Sequence, residues 1–245
     1  MSAARSYGLM LRFDLASARA WLPFLVGMQL LLGVGSAVMY GFYIPNLTKA
    51  GALFIVTGAP TIALVPIGMM LLPMQIGLQK TGRTFDFVWS LPVSRAVTVA
   101  STLTVYTLLA LPGIAVTLVL ASLRYGVELS VSPSIVPAVV LASLMSASVG
   151  MALAHGIREP VITGLLTNLL VFVAMMFAPI AMPIQNFPGW LAAIHRVLPL
   201  YHMGVVVRAG LSTGLVTDVW ASYLVLGAWT IVGWAVVAWV IGRRR

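Results

Sequence analysis

Apolar residues in this chain fall into six long runs, near residues 21–43, 52–77, 97–122, 135–154, 161–182 and 219–241. A helix needs about 20 residues to cross a bilayer, and in hydrocarbon every backbone N–H and C=O must pair within its own helix. The pattern predicts an all-α integral membrane protein with six transmembrane helices, forming one domain over residues 1–245. Three segments outside the runs are patterned differently: 1–20, 78–95 and 183–214.

In the first of these, Arg5, Arg12 and Arg19 recur every seven residues, which places them within about 40° of one another on a helix. Tyr7, Met10, Leu11 and Ala18 fall on the other side, with Asp14 among them. The segment reads as an interfacial helix whose arginines face lipid phosphates; a frayed tail is the alternative. The apolar run that follows is too long for a signal peptide.

Residues 78–95, LQKTGRTFDFVWSLPVSR, interrupt the second and third spans. Thr84 is placed to N-cap a short helix, and Asp86 in its first turn suits the positive end of the dipole. Pro92 stops the helix, since the residue before a proline is driven from the α region. The expected element, Phe85 to Leu91, carries Phe85, Phe87, Val88, Trp89 and Leu91 exposed at a membrane surface. Either these side chains lie among headgroups or they dock on a soluble partner.

Residues 183–214 are too apolar for a solvated loop, and their prolines interrupt them too often for two crossings. Asn186 is placed to cap a helix with Pro188 in its first turn, running to about Leu198 and halted before Pro199. A second short helix is expected from about Leu200 to Leu211. Two helices of about ten residues, each about 15 Å long, make a re-entrant hairpin. The alternative is two helices lying flat at the interface.

Composition agrees with the pattern: hydrophobic residues make up 61% of the chain and charged residues 8%, and mean hydropathy is +1.06. The net charge of +9 would suggest nucleic acid in a soluble chain. Here the basic residues flank apolar runs, so they orient the protein and no nucleic-acid partner is expected. With both termini inside, the inner segments hold Arg5, Arg12, Arg19, Lys80, Arg83, Arg95, Arg158 and 243–245, all arginine. The outer segments hold only Lys49, Arg124, Arg196 and Arg208. The predicted topology is N-in/C-in, which puts 78–95 in the cytoplasm and 183–214 outside.

No ionisable side chain falls near the centre of a span, as an ion-coupled carrier or a proton pump usually requires. Gln29, Gln75 and Asn168 are the strongest polar groups in the spans, and they serve either as interhelical hydrogen-bonding groups or as a candidate substrate path. The second span holds Pro60, Pro66 and Pro73, which should kink it, either statically or as a hinge. In the fourth, Ala138, Ala142, Ser146, Gly150 and Ala154 form a small-residue stripe for close helix contact. Catalytic and metal patterns are missing. Gly77 to Thr84 approaches a phosphate loop, but Arg83 stands where lysine belongs and a membrane helix precedes it. His195 and His202 are separated by Pro199, there is no cysteine, and Arg158 with Glu159 reads as a helix-boundary pair. No cofactor, metal or catalytic residue is expected on this chain.

Six spans, a cytoplasmic loop ending Pro92-Val93-Ser94-Arg95 and an external hairpin with Pro183, Pro188, Pro199 and Arg208 resemble the type-2 ABC exporter permeases. These include bacterial drug, antibiotic-resistance, polysaccharide and lipid exporters. The resemblance implies that Thr84, Phe85, Asp86, Phe87, Trp89, Leu91, Pro92 and Arg95 form a coupling helix and its flank, docking on a separate ABC ATPase. It further implies two ATPase copies carrying ATP and Mg, and a second permease, identical or paralogous, across the substrate path. The hairpin residues Pro183, Pro188, Trp190, Pro199 and Arg208 would then face the outside of a bacterial cytoplasmic membrane. Where the family often opens the loop with glutamate, this chain has Gln79 followed by Lys80, so a salt bridge built on that glutamate is not carried over. The residues also leave open a regulatory or assembly membrane protein, or a carrier without a motor.

Overall fold

The computed structural model describes residues 3–43, 47–82 and 84–243. Arg83 and residues 244–245, part of the basic bias read from the sequence, lie outside them. The described residues form helices and no strand. Helix α1 (Ala3–Ala18) leads through a short 3₁₀ turn into α2 (Leu22–Tyr43). Next come α3 (Lys49–Pro66), a π-helical turn at Ile67–Leu71 and α4 (Leu72–Thr81), which together make one continuous span. Then follow α5 (Thr84–Ser90), α6 (Arg95–Tyr125), α7 (Ile135–Gly156), α8 (Pro160–Phe177), α9 (Gly189–His195), α10 (Pro199–Leu211) and α11 (Val219–Gly242). Six of these spans are long and apolar enough to cross a membrane.

The α3–α4 span is the central post, with 94% of its apolar window buried. It packs on α2, α6, α7, α8 and α10. Its prolines do not break it. Pro60 and Pro66 remain inside α3, and the hydrogen-bond pattern widens into the π turn directly after Pro66, where missing amide donors are most easily absorbed. That turn lies against the expected stripe of α7, where Ala138, Ala142, Ser146, Gly150 and Ala154 are all buried. The approach is close: a Cβ on Gly150 would fall 2.1 Å from the Gly68 carbonyl oxygen, so only glycine fits.

Helix α1 lies on the start of α6 by the face opposite its arginines, as expected, with Ser6 added and Tyr7 and Leu11 only half-buried. The buried residues are Ser6, Met10, Asp14 and Ala18, one per turn, while Arg5, Arg12 and Arg19 are exposed. Asp14 among apolar neighbours is thus a docking group: its carboxylate accepts from Ser101 Oγ at 2.6 Å and Thr102 Oγ1 at 3.1 Å. Tyr7 Oη adds a bond to Thr104 Oγ1 at 2.7 Å.

The fifth span ends at Phe177, short of the expected 182, because Ala178 precedes Pro179 and is extended (φ −75°, ψ 133°). Asn186 is not the cap of α9. It ends a 3₁₀ turn, Ile184–Asn186, and Pro188 holds the N-cap position. Helix α9 also stops at His195 rather than Leu198, and α10 begins at Pro199, bent 75° from it.

This bent pair turns back within the bundle. Arg208, near the end of α10, donates to the carbonyl of Ile180, just beyond α8. Leu211 O and Gly210 O accept from Ser130 N and Ser132 N in the α6–α7 loop, at 3.0 and 2.9 Å. Both ends of the hairpin therefore lie at one end of the bundle. Its elbow is lower: Trp229 Nε1 donates to Val197 O at 2.7 Å, and Trp229 sits about 15 Å along α11. His202 ties the same elbow to α11, with Nδ1 3.0 Å from Ser222 Oγ and Nε2 2.8 Å from Arg196 O. Helix α10 is buried along most of its length among α3, α7 and α11, whereas α9 is largely exposed.

Candidate functional site

The end of the bundle opposite the hairpin gathers α1, α5 and the ends of α4, α6, α7 and α11, and it is rich in lysine and arginine. Helix α5 is set there by local chemistry. Pro92 ends it after Ser90, and Ser94 starts α6 by accepting from Val97 N at 3.4 Å. Thr84 does not cap as expected. It is the first helical residue, and its hydroxyl donates to Gln79 O at 3.3 Å. Lys80 caps a helix: its Nζ donates to Ala154 O and, at 2.9 Å, to Ile157 O at the end of α7. Carbonyls at a helix C-terminus lack intrahelical partners, and a lysine suits the negative end of the dipole.

The aromatic residues of α5 divide between two faces, so the expectation that all five apolar side chains are exposed is corrected. Phe85 and Trp89, one turn apart, stack at 5.2 Å. Both lean on the His155 ring of α7, at 6.0 and 5.3 Å. Val88 is buried, and Leu91 is half-buried. Phe87 alone of the three rings points outward, 60% exposed, flanked by the exposed Asp86 and Ser90. Arg95 lies over the Trp89 indole at 4.7 Å and donates to Ile241 O at 3.0 Å. Trp89, His155 and Arg95 thus join α5 to α6, α7 and α11.

Behind α5 a cavity of about 30 Å³ is lined by Asp14, Gln75, Gln79, Trp89, Thr102 and His155, room for about two waters. Burial raises the pKa of Asp14, with the Ser101 and Thr102 hydroxyls acting in the opposite direction. The sequence reading missed His155 and the role of Asp14. The available signals were a histidine at the end of a span and an acid at odds with its apolar neighbours.

The three candidate path residues do not share one environment. Gln29 is buried between α2 and α6, where Gly113 makes room for its carboxamide. Gln75 lines the small cavity just described. Asn168 is exposed near the middle of α8, a helix with only 22% of its apolar window buried.

At the other end, Pro183 precedes the 3₁₀ turn, Pro188 opens α9 and the buried Pro199 opens α10. Trp190 projects from α9, 68% exposed, and Trp220 at the start of α11 is 81% exposed, as suits indoles at headgroup level. Arg208 turns inward, with 1% exposure. Its guanidinium donates to Thr57 Oγ1 at 3.2 Å, to Phe54 O at 3.1 Å, to Gly204 O and to Ile180 O. The Phe54 ring lies 3.5 Å away. Among the described residues its partners are carbonyls, a hydroxyl and a ring.

The chain's sequence matches the family described as ABC-2 type transporter over residues 23–211. The chain belongs to that family. No individual curated protein matched it. As an ABC-2 subunit it is the multi-pass membrane component of an ABC transporter, and such subunits work in general with ABC ATPase partners. The match runs from the start of α2 to the last residue of α10, so it includes both the α5 loop and the hairpin.

Proposed function

We infer that this ABC-2 subunit is the permease of an ATP-driven exporter in a bacterial cytoplasmic membrane, moving a lipophilic or amphipathic substrate outward. Two copies of a separate ATPase bind ATP and Mg. The single observation that carries the reading is the two-faced α5: an exposed Phe87 on a helix whose inner rings are clamped by α6 and α7. Exposed Phe87 and Asp86 form a small amphipathic knob for a soluble partner, and the clamp transmits its movement. A second permease, identical or paralogous, covers the outer face of α8. Asn168 supports this, because a carboxamide about 12 Å along a membrane helix needs a hydrogen-bonding partner, and none is supplied among the described residues. The hairpin closes the outer mouth of the path between the two copies.

The test is ATPase recovery with affinity-purified permease. Burial of a phenylalanine stabilises an interface by roughly 1.5–3 kcal/mol, so Phe87→Ala should lower recovery about tenfold or more with normal expression. Asp86→Lys should be worse, since it places a cation at a helix N-terminus. Unchanged ATPase recovery and unchanged transport in both variants would refute the docking role.

A further inference from the structure

Helices α6 and α11 both pack beside α7, but they do not pack along each other. Between them lies an open crevice of about 540 Å³. Its walls are Ala96, Ala100 and Leu103 on α6 and Val237 and Ala238 on α11, with Leu144 of α7 on its floor. Trp234 is held at its inner end, donating from Nε1 to Leu144 O at 3.1 Å. At the other end, level with the basic end of the bundle, stands the exposed Arg95. Arg243, also exposed, lies over the Trp239 ring at 3.8 Å beside it.

A crevice with apolar walls inside a bilayer fills with hydrocarbon, since an empty one forfeits contacts on every wall. From Arg95 to Leu103 the groove runs about 12 Å along α6, a length and an apolar lining that suit an extended hydrocarbon chain. The cationic mouth selects among lipids: a guanidinium pairs with phosphate through a two-pronged set of donors, and Arg95 spends only Nη1 on Ile241 O.

We propose that the α6–α11 crevice is a binding site for an anionic phospholipid, which seats an acyl chain between the helices and its phosphate on Arg95. The same guanidinium covers Trp89 of α5, so the bound headgroup touches the α5 clamp through one side chain. The site rests on the groove and its charge, and it stands whether or not the exporter reading does.

The test uses the full chain in lipid nanodiscs doped with phosphatidylglycerol or phosphatidylcholine, each carrying a diazirine on its acyl chain. After irradiation, adducts are mapped by peptide mass spectrometry. Adducts from the anionic probe should concentrate at Leu103, Leu144 and Trp234, above those on the open face of α8. Ala100→Phe and Ala238→Phe, filling the groove from opposite walls, should each remove them and spare α8. Arg95→Gln should reduce the anionic probe's labelling about threefold to tenfold, to the level of the neutral probe, and Arg95→Lys should restore part of it. Labelling of wild type spread evenly around the belt, or equal for both lipids, overturns the proposal. So does cross-linking of two copies through Ala100→Cys, which would make the crevice an interface between chains.

Discussion

Arg208 tests the construction of the hairpin, because its charge is buried and its partners among the described residues are all neutral. In Arg208→Met the aliphatic stem is kept and the guanidinium removed. The substitution relieves the desolvation of a buried charge. It also deprives Ile180 O of its donor, at about 1–3 kcal/mol for an unsatisfied buried acceptor, and removes a desolvated cation–π contact of about 2 kcal/mol. The balance is a loss of about 2 kcal/mol, or about 4–8 °C in Tm for a chain of this size. Arg208→Lys keeps the charge but cannot reach Thr57, Phe54 and Ile180 together, because those acceptors match a planar fork. An under-bonded buried ammonium should cost more than a neutral methionine. The expected order of thermal stability is Arg, then Met, then Lys, followed by tryptophan fluorescence of purified protein. If Arg208→Lys matched wild type while Arg208→Met fell, charge alone would be the requirement, and the fork argument would be wrong.

Three further outcomes follow from the geometry. The chain has no cysteine, so single cysteines report topology: Thr81→Cys and Ser94→Cys should react with an impermeant reagent only in opened cells, and Lys49→Cys, Ser132→Cys and Thr213→Cys in intact ones. Labelling of Thr81→Cys from outside would invert the orientation and end the docking reading. Gly150→Ala should abolish folded protein on size-exclusion chromatography, because its Cβ meets the Gly68 backbone at 2.1 Å; a stable, wild-type variant would contradict the close α7 contact. Asp14 has its folded pKa raised by burial, so its contribution to stability is full below the ordinary carboxylate range and lost as pH rises through the raised value. The seat of α1 on α6 should therefore tighten as pH falls from neutral, measured by protease protection of α1, and Asp14→Asn should flatten the profile.

The sequence alone determined the class, the number of spans and the general position of the two special segments. Those features follow from bilayer thickness, the obligation to pair backbone groups and the exclusion of charge from hydrocarbon, which act on each segment separately. Pro92 likewise sets the end of α5 through local backbone restriction. Pro179 could have been read the same way, but the apolar run continued past it and hid the end of α8. Tertiary structure decided which side of each helix meets protein. Phe85, Phe87 and Trp89 are alike in hydropathy, and only the position of His155, 66 residues beyond Trp89, turns two of them inward and leaves one out. The opposite environments of Gln29 and Asn168, and the pairing of Asp14 with Ser101, came from packing in the same way. Within a membrane span nearly every residue is apolar, so periodicity carries little information about facing. Which neighbour a side chain meets is settled by helix packing, over separations that no local pattern encodes.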